Sequence, residues 1–320
     1  MKIGLYNITF LGIWYKGPQL SVDELVRTAV DMGFDGIEID AKRPHWSPLD
    51  LDAKRRATIR DACRSAGLEI PAVSANNDFS SPIHEHLEAQ MVWVKEQIAL
   101  ARDLGAPLLR VFFAWPGVTL ADGVATYDIS RRIWDLTDGF FPRLQRWQIV
   151  RDALREAAGY AEDAGVTLVL QNHKPLLRHY RDMLDMIQEV DSPALKACLD
   201  APLLERQDDE YVRRAVHETG ALQAHSHFGG EFERGPDGAV REYPFEHWRE
   251  KINYPAFIKA LKGAGYDGYL TYELCHPCLR GHDYQGIDFV REHTTLALEY
   301  MRKLLIQEGA YTGGAVTAGA

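Results

Sequence analysis

VDMGFDGIEID (residues 30–40) carries the reading of the fold: a helix end, a glycine, then a short apolar run closed by acidic residues. The pattern returns as CRSAGLEIPAV (63–73), ARDLGAPLLRVFF (101–113), AEDAGVTLVLQ (161–171), HETGALQAHSH (217–227) and KGAGYDGYLTYE (262–273). In each copy the glycine reads as the left-handed residue that ends a helix. The run after it reads as a strand buried on both faces. Six copies describe alternating strands and helices around a parallel sheet. Lys2 to Ile8 and ALKACLD (194–200) supply two further strands, so eight are expected, starting near residues 2, 35, 68, 107, 166, 195, 221 and 268. Eight βα units in one chain favour the α/β class and a closed (β/α)8 (TIM) barrel over an open doubly wound sheet. Helices are expected at Val22 to Met32, His84 to Leu104 and Trp147 to Ala164.

A single barrel domain is expected over residues 1–308, and the Gly-, Ala- and Thr-rich stretch 309–320 is expected to be a disordered tail. Two connections, 114–142 and 228–252, are long and rich in Gly, Pro, Trp and Phe, the composition of lids or partner surfaces over a barrel mouth. A possible homo-oligomer or partner subunit over the mouth is expected from their aromatics. No glycine-rich phosphate loop follows any strand, which sets aside the usual nucleotide-binding readings.

The 320 residues carry a formal net charge of −10, which argues against a large nucleic-acid or anionic-membrane surface. No apolar run reaches the 18 or so residues of a membrane span, and the N-terminus lacks a signal-peptide core. Four scattered cysteines do not make a disulfide framework, so the expected setting is cytoplasmic. Cys275 and Cys278 in CHPC resemble half of a zinc site without its other half, and are read as loop packing.

In such a barrel the site lies where strands end. Those positions hold Glu38, Asp40, Ser74, Asn76, Arg110 and Trp115, then QNHK (Gln171 to Lys174), Asp200, the HSH of residues 225–227, and Glu273 to His276. Asp200, His227 and Glu273 each close an apolar run on successive strands. Two carboxylates and an imidazole suit one divalent metal ion, with Mn²⁺ expected first and Mg²⁺, Co²⁺ or Zn²⁺ as alternatives. Gln171 is a candidate fourth ligand through its amide oxygen. The competing reading of Asp200 is an N-cap for the next helix. Of His225 and His227, one is expected to point inward and the other to pack outward. Glu38, Asn76, Arg110, Trp115, His225, His276 and Arg280 are candidate substrate-binding residues. Trp14 and Tyr15 are a candidate aromatic wall for a sugar ring. Arg110, inside an apolar strand, requires a partner wherever it is buried.

At these residues, over nearly the whole chain, the sequence resembles the xylose-isomerase-like superfamily of sugar isomerases and epimerases, which also includes metal-dependent apurinic endonucleases. The resemblance implies metal ligands at Gln171 in QNH, Asp200 in CLDA, His227 in HSH and Glu273 in YEL. It also implies an isomerase or epimerase that removes a proton next to the carbonyl of a keto-sugar or related polyol. Family epimerases carry a glutamate where this chain has Gln171, and a glutamine cannot take up a proton at neutral pH. Glu273 is then the expected base, with His173 or Lys174 as a second acid or base; an equally weighted role for His173 is stacking or hydrogen bonding alone. A lyase or dehydratase on a 3-oxo sugar, glycoside or cyclitol is the alternative, and a non-catalytic sugar-binding barrel a further one.

Overall fold

The computed structural model describes residues 1–115, 117–243 and 251–314. Eight parallel strands close into a barrel, each beside its sequence neighbours: Lys2–Tyr6, Gly36–Asp40, Ala72–Ser74, Leu108–Val111, Thr167–Gln171, Leu195–Cys198, Gln223–Phe228 and Tyr269–Tyr272. The eighth pairs with the first in the register Lys2 to Tyr269, which closes the ring. Helices at Val22–Met32, His84–Leu104 and Arg143–Ala164 agree with expectation, the last beginning four residues before the expected Trp147.

Five of the six repeat glycines behave as read, Gly220 differing with ψ −132°: Gly33, Gly67, Gly105, Gly165 and Gly265 have φ between +69° and +88°. That conformation is easy for glycine and costly for residues with a Cβ. The third strand differs from expectation. Only Ala72–Ser74 is regular strand, because Pro71 has no N–H to give the ladder. Glu69 reaches Gly36 by an isolated bridge instead. Gly36 is also a place of close approach: a Cβ there would meet the Glu69 carbonyl oxygen at 2.8 Å.

One irregularity matters for the site. Ala197 of the sixth strand faces Gln223 of the seventh, but Cys198 faces His225, so strand seven carries one extra residue. A bulge of this kind re-aims the side chains beyond it.

The long connections are built rather than loose. The first holds a hairpin, Thr119–Ala121 with Val124–Thr126, and a helix, Asp128–Asp138, that turns Ile129, Ile133 and Leu136 to solvent. The second holds the hairpin Glu231–Arg234 with Val240–Tyr243; residues 244–250 of that expected lid lie outside the described residues. The expected disordered tail is corrected over Gly309–Gly314. Met1 donates its ammonium to the Ala310 carbonyl at 2.5 Å, Thr312 N–H bonds the Met1 carbonyl at 2.9 Å, and Tyr311 and Gly314 both reach Asp35. Met1 lies just ahead of strand one, and its ammonium and carbonyl are the groups that the C-terminal segment takes up. Residues 315–320 lie outside the described residues. Truncation after Glu308 should lower unfolding stability by about 2–4 kcal/mol, the sum of a few such bonds, in urea denaturation; a truncated chain as stable as the full one would contradict this anchoring.

Candidate active site

All eight strands bring a polar side chain to the C-terminal mouth, and the interior there is a hydrogen-bonded lattice. Its middle is His227. The Nε2 atom lies 3.0 Å from both oxygens of Glu38, on a strand that does not neighbour strand seven, so the contact spans the barrel interior. Its Nδ1 lies 3.1 Å from Oδ2 of Asp200, and its backbone N–H donates to Asp200 Oδ1 at 2.6 Å. His225 also points inward, with Nε2 2.7 Å from Glu38 Oε2. The expected in-and-out arrangement of the two histidines is therefore corrected. Residues two apart on a strand share a face, and the rings sit 4.9 Å apart.

Burial would push the His227 imidazole down, but Glu38 and Asp200 on either side outweigh it and hold the ring well above its ordinary range. Burial would raise both carboxylates, and the histidines reverse this too: Glu38 ends well below its ordinary value and Asp200 below its own. The three form one buried charge network.

Glu38 and His225, expected to touch substrate, are engaged with each other in this structure. Each is fully buried, and the Glu38 oxygens are taken up by Ser74, His225 and His227. Asp200 makes no cap to the short helical turn after it, which disposes of the N-cap reading.

Arg110 has the partners its burial demands. Its guanidinium donates to Tyr6 Oη at 2.8 Å and to Gln171 Oε1 at 3.2 Å, lies over the Tyr6 and Phe112 rings, and is 3.9 Å from Glu273 Oε2. Gln171 in turn donates its amide to Asp200. An arginine only donates and a carboxylate only accepts, so the amide is held with oxygen toward Arg110 and nitrogen toward Asp200. As oriented, Gln171 offers Asp200 and His227 an N–H rather than a lone pair; ligation through its oxygen requires the amide to turn over and release Arg110.

Around the rim, Trp115 stacks on Phe112 at 5.0 Å, and both meet the His173 ring edge-on. His173 Nδ1 is bonded to the Lys174 carbonyl, which only accepts, so the proton is on Nδ1 and the Nε2 lone pair is left free. Desolvation lowers this imidazole to about 4. Lys174 is exposed beside it, and Glu273 is partly exposed. Asn76 is half-buried and donates to Asp40 at 2.5 Å. His276 is half-buried in the loop after strand eight. Arg280 stands apart, over the Phe289 ring in an outer groove with Glu231 and His293. Trp14 is buried against Tyr127, and Tyr15 Oη bonds backbone carbonyls at Phe10 and Pro18, so the expected aromatic wall is loop packing. Cys275 and Cys278 are free thiols, as their reading as packing requires. Sequence reasoning passed over Tyr6 and Cys198 as site residues, although both sit at or near strand ends, the signal that found the others.

Two groups of buried donors have ligand atoms all within 4.8 Å of one another: Glu38–His225–His227 and Cys198–Asp200–His227. Donors bound to one cation at roughly 2.1 Å stand about 3 Å apart. Asp200 Oδ2 and His227 Nδ1 already have that spacing, so an oxygen-and-nitrogen site for a divalent cation fits the residues present.

A model of the xylose isomerase-like TIM barrel matches residues 26–302. The chain belongs to this family. Fructoselysine 3-epimerase of Shigella flexneri is 24% identical over 277 residues, spanning 82% of this chain and 89% of that one. In structure, D-psicose 3-epimerase of Clostridium cellulolyticum H10 has a TM-score of 0.69 at 17% identity, covering 95% of this chain and 99% of its own. An L-ribulose 3-epimerase has a TM-score of 0.68 at 20% identity, with 96% and 95% covered. These likenesses agree with the fold and with the closed eight-strand ring described above.

Two outcomes follow from the lattice. Tyr6→Phe removes a hydrogen bond to a buried charge and should cost about 1.5–3 kcal/mol in urea unfolding; an unchanged midpoint would show Arg110 held by other means. For His173, the folded imidazole ionises near 4 against about 6.5 when unfolded. Its contribution is fully present above pH 6.5 and is lost as pH falls toward 4. His173→Gln should therefore lose less stability than wild type over that window, and equal slopes would refute the neutral, desolvated ring.

Proposed function

We propose that this barrel is a divalent-metal-dependent epimerase of a keto-sugar or related polyol, working by proton transfer at the carbon next to the carbonyl. The observation that carries the reading is the meeting of Asp200 and His227 at 3.1 Å, with Arg110 reaching Gln171 and Glu273 beside them. The relatives' activities as 3-epimerases support a sugar and a proton exchange at its third carbon. Asp200, His227 and Glu273 would hold the cation, Mn²⁺ in the first instance. When bound, it supplies positive charge beside the substrate's carbonyl oxygen as electrons move there.

The chain's own residues then have distinct tasks. Glu273 is partly exposed, on the open side of that donor set, so it is the carboxylate placed to accept the proton as well as to hold the ion. The C–H electron pair becomes the new C=C bond as the carbonyl π pair moves onto oxygen, giving an enediolate. Arg110 keeps Glu273 in place and adds positive charge nearby. His173 has a free lone pair and a neutral ring, suited to accepting a hydrogen bond from a substrate hydroxyl. Lys174, next to it, is the donor for the returning proton. Trp115 and Phe112 provide the apolar surface for the carbon skeleton.

A second reading is favoured by Gln171. With an amide at the end of strand five, Glu273 is the one carboxylate left to exchange protons with substrate. A single base suffices for elimination, in which the enediolate re-forms the carbonyl and expels a group from the next carbon. The solvent-facing Ile129, Ile133 and Leu136 support a second copy or partner on the strand-four insertion.

The Mn²⁺-loaded protein, offered D-psicose, L-ribulose, fructoselysine and a 3-oxo-glucoside in D₂O, should yield an inverted product with one deuteron next to the carbonyl. An unsaturated product that has lost a group would replace the epimerase with the lyase. Glu273→Gln should slow the reaction by roughly 10²–10⁴-fold; a wild-type rate in that variant would remove Glu273 from the chemistry.

A further inference from the structure

Glu38 is a fully enclosed carboxylate near the mouth on which several side chains converge. It sits on strand two, with none of its surface exposed, yet its oxygens are the target of three side chains. Ser74 Oγ donates to Oε1, His225 Nε2 lies 2.7 Å from Oε2, and His227 Nε2 lies 3.0 Å from each oxygen.

Resting on the cation reading above, we infer that Glu38 is a positioning residue for the metal site: it fixes which nitrogen of His227 faces the ion. The argument is one of donors and acceptors. An ionised carboxylate only accepts, so the ring nitrogen facing it carries a hydrogen. Both ring nitrogens face a carboxylate and both carry hydrogen, Nε2 toward Glu38 and Nδ1 toward Asp200 Oδ2 at 3.1 Å; a cation held by Asp200 would displace the Nδ1 hydrogen and leave the Nε2 hydrogen on Glu38. The backbone N–H of His227 bonds the other Asp200 oxygen at 2.6 Å, so ring and main chain are both referenced to the same carboxylate. Glu38 cannot yield, because Ser74 and His225 hold it from two further strands. His225 is thus a brace on Glu38 rather than a ligand in its own right: its Nε2 is on the carboxylate and its Nδ1 has no partner among the described residues. Strand two contributes nothing to the ion directly, yet it decides the orientation of the imidazole that does. Carboxylates that take the far N–H of a ligating histidine fix the ring and make it a better donor; their loss lowers metal affinity by about 10–100-fold.

The test is a Mn²⁺ titration of the whole protein, reading free Mn²⁺ by its electron paramagnetic resonance signal, for wild type, His227→Gln and Glu38→Gln. Tight uptake by wild type, loss of it in His227→Gln and a 10–100-fold weaker site in a folded Glu38→Gln variant support the assignment. Wild-type affinity in Glu38→Gln, with His227→Gln still unable to bind, overturns the role of Glu38 and leaves the metal reading standing. No uptake by wild type overturns the metal reading, and this inference with it. A second measurement needs no variant to fold: in Zn²⁺-loaded wild type, the ¹⁵N resonances of His227 should show hydrogen on Nε2 and metal on Nδ1. The reverse assignment overturns the proposal.

Discussion

The imidazole of His227, wedged between Glu38 and Asp200, is the contact on which the mouth of this barrel depends. Two carboxylates buried without a positive partner would repel one another and carry an uncompensated desolvation cost. The ring between them removes both difficulties, and it ties strand two to strand six through strand seven. Removing it would leave two buried anions facing each other across the interior. Asp200 and the ring are also the pair on which the proposed cation site rests, with Glu38 on the far nitrogen.

Arg110 plays the matching part on the other side of the mouth. Its charge is spread over the Tyr6 and Phe112 rings, the Tyr6 hydroxyl and the Gln171 amide, with Glu273 at 3.9 Å. Through Gln171 it communicates with Asp200, so the cationic and anionic halves of the site are joined by one amide. A glutamate at position 171 would lie against both Arg110 and Asp200. It would be drawn to the first and repelled by the second. The glutamine removes that conflict while keeping the link, at the loss of a group able to carry a proton. In the proposed reaction this leaves Glu273 as the carboxylate that takes the proton.

How much of the site was legible in advance depended on whether a signal was local. Strand-end polar residues are marked by their position after an apolar run, so Asp200, His227, Glu273, Gln171 and Arg110 were found without coordinates. Partners across the ring leave no such mark. Glu38 and His225 are polar strand-end residues like the rest, and nothing in their neighbourhood shows that they face each other rather than a substrate. Trp14 and Tyr15 were misjudged for the same reason: an aromatic pair after a strand reads alike whether it lines the mouth or packs beneath Tyr127.

By itself, the sequence determined the eight-strand count, the glycine turns, the main helices and the group of residues at the strand ends. Helix ends and buried strands are written in runs of neighbouring residues, so short-range chemistry suffices to read them. Tertiary structure alone decided the extra residue in strand seven that aims both histidines inward, the direction of the Gln171 amide, the anchoring of Gly309–Gly314 to strand one, and the withdrawal of Glu38 from solvent. Each of these rests on atoms brought together from distant parts of the chain, where only barrel closure sets the distance.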